Sequence, residues 1–287
     1  SSAASDVYKR QAPLAPIHNL HIANDLKAKG IFPVVFCNGG NTGNMAVISS
    51  DETGKEKVFG WDTGPFNHFI DYLTRSEKNE PCDYDGKYGR QGKINYSLLK
   101  QMFEQAVITE KGDNFLLKNP PKSSDPAWYK ILPMMIDKNI PFNDRIRTAE
   151  FFSAYIYVYN LRYIPQNLKR PQYFLTFGGG WHNPVVLQDF KDLLEGKAEA
   201  LPEHKDIFAA LQMSNVIVAP SDQYGYNGQF MEARIFADMA KCLITKEPFS
   251  YPETTGCKTP TVGGIIAVPG GKDKRLWSRA AFGWQKN

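Results

Sequence analysis

Val58-Phe59-Gly60-Trp61-Asp62-Thr63-Gly64-Pro65-Phe66-Asn67 is the stretch whose reading decides the fold: an apolar strand that ends in an acid, a small turn and the start of a helix. In open α/β sheets, ligands gather in the crevice beyond the carboxyl ends of the strands, so a carboxylate delivered there is placed for chemistry. The same residues also describe an ordinary helix start, because Asp or Thr caps free backbone N–H groups and Pro65 suits the first helical position. On local pattern alone both readings of Asp62, cap and catalytic carboxylate, stand.

Upstream of this stretch, Phe32-Pro33-Val34-Val35-Phe36-Cys37 is a short β-branched and aromatic run bounded by Asn38-Gly39-Gly40, which reads as a buried strand. Asn44-Met45-Ala46-Val47-Ile48-Ser49 reads as a second strand, residues 51–55 as a turn and 57–61 as a third strand, together an antiparallel meander. Residues 17–28 carry a helical pattern that stops at Lys29-Gly30. Residues 1–11 lack periodicity and are expected to be a non-native or disordered start.

Downstream, Phe66, Phe69, Ile70 and Leu73 fall on one helical face. Residues 82–92, with three glycines and mixed charge, form a loop before a helix over 95–108. An irregular segment, 117–126, precedes residues 127–137, and Asn143-Asp144 is expected to cap a long helix over 145–163. Strand and helix then alternate: strand 173–177, the loop Gly178-Gly179-Gly180, a helix opened by Asn183-Pro184 through 194, strand 215–219 and helix 229–243. A meander, a helix and βα units with parallel strands predict an α/β, ribonuclease-H-like architecture.

Composition narrows the function. Hydrophobic residues make up 42% and charged residues 22% of the 287, a globular balance. The net charge of +4 is scattered among acids, which favours a small anionic ligand and argues against nucleic acid. Cys37, Cys82, Cys242 and Cys257 show no C-x-x-C spacing, so neither a zinc site nor a disulfide scaffold is indicated, and a reducing, cytoplasmic location is expected. The histidines form no metal pair, although His18 and His21 are spaced to share a helical face, and no metal-ligating residue is assigned. No apolar run approaches the roughly 20 residues needed to span a bilayer, so no membrane association is expected.

Phosphates are held by backbone N–H groups, which need glycine where the chain must approach closely. Asn38-Gly39-Gly40-Asn41-Thr42-Gly43-Asn44 qualifies, though hairpins also favour Asn and Gly. Gly178-Gly179-Gly180-Trp181-His182-Asn183 qualifies more strongly, because it leads from a strand into a helix N-terminus. A third loop, 222–233, places Glu232 in the first turns of a helix, either as a dipole-favoured acid or as a carboxylate for sugar hydroxyls.

Taken in order, these stretches resemble the anhydro-N-acetylmuramic acid kinase family, which includes levoglucosan kinases, within the actin/Hsp70/hexokinase-type ATPase superfamily. Ala12-Pro13-Leu14 is similar to its A-P-L segment, Asn38 to Asn44 to N-I-G-G-I-A-N, and Asp62 to Asn67 to D-T-G-P-G-N. Thr148-Ala149-Glu150 matches a T-A-E-like helix segment and Gly178 to Asn183 matches G-G-G-x-x-N. Asp222, Gly225, Gly228, Met231, Glu232 and Ala233 match D-x-x-G-x-x-G-x-x-[MK]-E-A, and Thr254-Thr255-Gly256 and Val262-Gly263-Gly264 match its terminal segments.

The resemblance implies that ATP, with Mg²⁺, phosphorylates O6 of a 1,6-anhydro sugar while water opens the anhydro bridge. It assigns Asp62 as general base, Thr63, Asn67, Lys122 and Glu232 to the sugar, and Asn38, Gly40, Asn44, Gly178, Gly179, Gly180 and Asn183 to the nucleotide. The implied partners are ATP and the anhydro sugar, with a homodimer as the assembly it allows. Residues 12–287 then represent mostly the second lobe, because the family's G-T-S-x-D-G-x-D phosphate loop is not within them, and the chain alone is expected to be nearly inactive. Three departures stand out: Asn41 and Phe66 each replace a family glycine, and Ser124-Asp125-Pro126-Ala127 replaces T-G-R-E, so Phe66 is expected to add bulk beside the base. A non-catalytic sugar- or nucleotide-binding relative is the alternative from another class.

Overall fold

A hairpin meander sets the frame of the computed structural model, which describes residues 15–264. Helix α1 (Pro16–Lys27) turns through Gly30, at φ 77°, into β1 (Val34–Gly39). Strand β1 pairs antiparallel with β2 (Thr42–Ser50), and β2 pairs antiparallel with β3 (Glu56–Pro65). The 51–55 turn forms as the sequence implies, with Asp51 Oδ1 accepting the N–H groups of Thr53 and Lys55, both at 3.0 Å.

Strand β3 is longer than its apolar run. Asp62, Thr63, Gly64 and Pro65 continue it, and α2 (His68–Lys78) begins only after Asn67 with no side-chain cap. This corrects the cap reading of Asp62: the acid lies within a strand, and Pro65 ends that strand. The extension is possible because the outer edge of β3 is paired there, with Asp62 N–H donating to Lys122 O at 3.0 Å.

Beyond α2 the chain forms α3 (Tyr96–Gln105), α4 (Pro133–Ile136) and α5 (Phe142–Asn160). Asn95 caps α3, its side chain accepting Leu98 N–H. Residues 127–137 hold only a 3₁₀ turn and the short α4, since Pro133 interrupts any longer helix. Helix α5 starts earlier than its polar signal, with Pro141 as its first boundary residue, and Asp144 instead accepts Lys93 N–H at 2.8 Å. Its run from Thr148 to Asn160 is buried on every side, as a helix must be when it is apolar all round.

Strand β4 (Tyr173–Phe177), α6 (Pro184–Leu194), α7 (Lys205–Leu211), β5 (Ile217–Pro220), α8 (Met231–Thr245) and α9 (Pro252–Thr255) follow. The sheet order is β3-β2-β1-β4-β5, with β4 parallel to β1 and β5 parallel to β4. This is the meander-then-parallel α/β arrangement expected of the ribonuclease-H-like class.

Alternation along the strands separates two cores. Val34, Phe36, Ala46, Ile48, Leu175 and Phe177 pack with residues of α1 and α8 on one face. Val35, Cys37, Met45, Val47, Trp61 and Phe174 pack with α2, α3, α5 and α6 on the other. His18 and His21 do share a face of α1, and their Nδ1 atoms reach Asp238 Oδ2 of α8 at 2.5 and 3.0 Å, tying the two helices together. Among the described residues no helix is long and apolar enough to cross a membrane. The Ala12-Pro13-Leu14 segment and residues 1–11 lie outside the described residues.

Candidate active site

The register of the sheet lines up three candidate residues. Asp62 stands opposite Asn44, Asn44 opposite Asn38, and Asn38 opposite Phe177, the last residue of β4 before Gly178. Directly opposed residues present their side chains on one face, so Asp62, Asn44 and Asn38 form a polar row above the apolar residues that α1 and α8 cover. At a strand spacing of about 4.8 Å, the row from β3 to β4 spans roughly 14 Å. A bulge makes this alignment: Gly43 pairs with Gly64 and Asn44 with Asp62, which leaves Thr63 as the extra residue on β3.

Asp62 is 3% exposed. Ser124 N–H donates to its Oδ2 at 2.7 Å and Ser123 Oγ donates to the same oxygen at 3.1 Å, while Oδ1 is buried with no donor among the described residues. Burial pushes the carboxyl up to about 6, against the opposing pull of the Ser124 N–H, the Ser123 hydroxyl and the Lys122 charge. The covering segment is itself pinned: Ser124 Oγ lies 2.8 Å from Tyr129 OH, which lies 2.7 Å from Thr42 Oγ1 at the hairpin end.

Lys122 is buried beneath this segment. Its Nζ sits 4.9 Å from the Phe115 ring centroid and 4.8 Å from that of Tyr163, and donates to Leu116 O at 3.4 Å. Burial, then the nearby Arg162 charge, lower it to about 7, while Asp62 pulls the other way.

The two glycine loops meet beside the row. Gly178 has φ 90°, and a Cβ there would lie 2.6 Å from Asn38 Oδ1 and 2.9 Å from Gly39 O. At Gly39 a Cβ would meet the Phe66 and Trp181 rings at 2.7 Å, and at Gly180 it would meet Asn67 Oδ1 at 2.4 Å. On the outer side the backbone is open: a Cβ at Gly179 meets nothing within 4 Å, and one at Gly40 meets only Thr42 O, at 3.5 Å. Asn67 N–H donates to Gly40 O at 3.0 Å, joining the start of α2 to the same junction. This is a backbone surface of the kind that phosphate oxygens approach.

Phe66 does not crowd the open side of the site as its bulk implied. It is 1% exposed, with its ring 4.6 Å from Trp181 and 5.8 Å from Tyr157, so it fills the core beneath both loops. Asn41 is exposed and its Oδ1 reaches His68 Nδ1 at 3.1 Å, away from the glycines.

The structure thus brings Asp62, Asn44, Asn38, Gly40, Gly178, Gly179, Gly180 and Asn67 to one strip. The other expected residues lie elsewhere. Thr63 is fully buried on the opposite face against Gly43. Lys122 faces aromatic rings. Asn183 caps α6, accepting Val185 N–H at 2.9 Å, and its amide donates to Glu150 Oε1 at 2.6 Å, so its polar atoms serve the fold. Glu232 is exposed in the first turn of α8, one residue after the buried Met231. Gly228, in the preceding loop, lies against Phe177 and donates its N–H to Asp222 Oδ2 at 3.2 Å.

Two groups were not foreseen. Ser123 and Ser124 hold Asp62 from a segment about sixty residues on, and no local pattern links them. Glu150, noted only for its place in a helix motif, is wholly buried and raised to about 8, first by burial and then by neighbouring Asp83, against the bond from Asn183.

Magnesium prefers oxygen ligands in octahedral geometry and is held in kinases by one or two carboxylates plus substrate phosphates. Among the described residues no group of three or more His, Cys, Asp or Glu side chains stands close enough to hold a metal ion. The donor set here does not make a dedicated Mg²⁺ cage.

The anhydro-N-acetylmuramic acid kinase family profile matches residues 9–269. A curated anhydro-N-acetylmuramic acid kinase of Roseobacter denitrificans is 28% identical over 262 residues, covering 90% of this chain and 60% of that protein. The namesake of Paramagnetospirillum magneticum is 27% identical over 258 residues, covering 90% and 62%. Among solved structures, xylulose kinase from Rhodospirillum rubrum aligns at a TM-score of 0.40 and 14% identity, over 77% of this chain and 49% of that one. The chain spans about 60% of the length of the curated relatives it matches. With the family profile covering nearly all of its residues, the chain belongs to the anhydro-N-acetylmuramic acid kinase family.

Proposed function

We propose that this chain supplies the acceptor-activating wall of an ATP-dependent kinase for a 1,6-anhydro sugar, of the anhydro-N-acetylmuramic acid or levoglucosan type. In this reading Asp62 takes the proton from the water that attacks the anhydro bridge, and the freed O6 accepts the γ-phosphoryl group. The glycine backbone at Gly40 and Gly178–Gly180 holds phosphate oxygens, Asn38 and Asn44 line the path between them and Asp62, and Glu232 approaches the sugar from α8. Mg²⁺ would enter with the nucleotide as part of the Mg-ATP substrate, where it would neutralise charge on the phosphates.

The observation that carries the proposal is the state of Asp62: a buried carboxyl near 6, held by one oxygen and with the other unpartnered, on the same row as the glycine loops. A general base works best when its pKa lies close to the operating pH and it is held by groups other than its substrate. Burial that is nearly complete favours the competing reading, a non-catalytic sugar- or nucleotide-binding relative, since a base must touch the water it activates.

One experiment separates them. The protein in its full length is incubated with Mg-ATP and either anhydro-N-acetylmuramic acid or levoglucosan, and sugar-dependent ADP and 6-phosphosugar are measured. Formation of both with one sugar, lost in Asp62→Asn, supports the kinase. Saturable binding of sugar or nucleotide without turnover supports the relative.

A further inference from the structure

At the opposite end of β4 from Gly178, a half-open cavity of about 390 Å³ lies between the α5–β4 connection and α7. That volume falls in the range of small-molecule pockets, about 300–1,000 Å³. Its walls are mainly apolar, with Ile164, Phe174, Leu211 and Met213 among them, and its charged lining residues are both cations, Arg162 and Arg170. No carboxylate lines it.

Both arginines make contacts within the fold that use only part of their donor capacity. Arg162 lies over the rings of Tyr159 and Tyr163, at 4.0 and 4.6 Å, and donates to Tyr163 OH at 2.6 Å, while its Nε is buried with no acceptor among the described residues. Arg170 donates to Ala210 O at 3.0 Å. Among the described residues neither forms an ion pair. A guanidinium offers five N–H donors in a planar fork that matches a carboxylate in two parallel bonds, so most of the donor capacity here remains.

We infer that this cavity is a second binding site, separate from the strip around Asp62, for an organic carboxylate with an apolar body, such as a medium-chain acyl or aryl acid. The apolar walls take the body and the arginines take the headgroup.

Octanoate is the probe, titrated into the full chain and followed by calorimetry, with octanamide as its uncharged counterpart. The expected result is saturable one-to-one binding, at least about tenfold weaker for octanamide and for Arg170→Gln, as the loss of a charge-assisted pair requires. Arg170 is exposed, so that variant leaves the packing of the fold alone. Ala210→Phe, which adds a ring to the lining, should abolish binding, and Arg162→Gln should weaken it like Arg170→Gln where it folds. Absence of saturable binding, equal binding of octanamide, or an Arg170→Gln protein that binds as the parent does would each overturn the inference. The readout is binding itself, so it stands or falls separately from sugar phosphorylation.

Discussion

Replacing Asp62 by Asn tests whether this carboxyl is held for chemistry at the expense of stability. Its ordinary value is 3.8 and burial raises it to about 6 in the folded chain. A group that binds its proton more tightly when folded makes folding less favourable as pH rises through the interval between the two values. Stability is therefore lost between about pH 4 and pH 6, and the loss is complete above it. At about 1.4 kcal/mol per unit, the penalty at neutral pH is about 3 kcal/mol. Asn is nearly isosteric, its carbonyl oxygen still accepts Ser124 N–H and Ser123 Oγ, and it carries no charge to desolvate. The variant should match the parent at pH 4 and exceed it at pH 7 by up to about 3 kcal/mol, or several degrees in Tm for a domain of this size. Thermal unfolding of both proteins across pH 4–8 reads this directly. A variant less stable than the parent at pH 7, or a difference that does not change with pH, would refute the reasoning and return Asp62 to a structural role. A gain in stability joined to a loss of sugar phosphorylation is the signature of a site that trades stability for function.

Three further outcomes follow from the same geometry. Gly178→Ala should lower Tm by several degrees, since it combines φ 90° with a Cβ 2.9 Å from a backbone oxygen, whereas Gly179→Ala, with open space around it, should melt like the parent; thermal scans compare them. Arg145→Ala should cost about 3–5 kcal/mol in denaturant unfolding, because Arg145 is 2% exposed, pairs with Glu77 through both terminal nitrogens and donates to the carbonyls of Met135 and Ile140. Lys122→Met removes a charge that holds Asp62 down, so the acid limb of a kcat/KM profile should move upward from about pH 6; a limb that stays in place would separate Lys122 from the base.

Much of the fold was legible because it rests on local signals. The β-branched runs at 34–37 and 45–48, the turn at 51–55, the glycine loop at 178–180 and the Asn183-Pro184 helix start each carry their own chemistry, and the structure has an element at each. Boundaries failed where a distant segment decided them. The strand through Asp62 runs on because residues 122–124 pair with its edge, and α5 starts at Phe142 because Asp144 is taken by Lys93 N–H from another loop. In the site, the residues that motif order brought forward divide by which side of a strand or helix they occupy. Asp62 and Thr63 are adjacent in sequence and lie on opposite faces, a separation that a two-residue period predicts once the strand is known to continue. Asn183 looked like a loop residue facing a ligand, yet both ends of its amide are used by α6 and Glu150.

The pairing of Asp62 with residues 122–124 joins the stability of the site to its reactivity. Each group that binds Oδ2 favours the ionised carboxylate, and burial opposes it; near 6, the balance leaves the side chain mostly ionised at neutral pH while keeping it a stronger base than an exposed aspartate. The same two serines occupy only one oxygen, so the second can take a proton from a bound water without breaking the bonds that position it. Reaching that water requires the covering segment to yield, and its fastenings include the Lys122 carbonyl on Asp62 N–H, the Lys122 ammonium on Leu116 O, the Ser123 hydroxyl and the Ser124 amide on Oδ2, and the Ser124 hydroxyl on Tyr129. Tyr129→Phe removes the last of these without touching the carboxylate. It should speed amide hydrogen exchange at Ser124 and leave exchange along β1 unchanged; equal protection at Ser124 in both proteins would mean that the remaining bonds of residues 122–124 hold the cover without Tyr129.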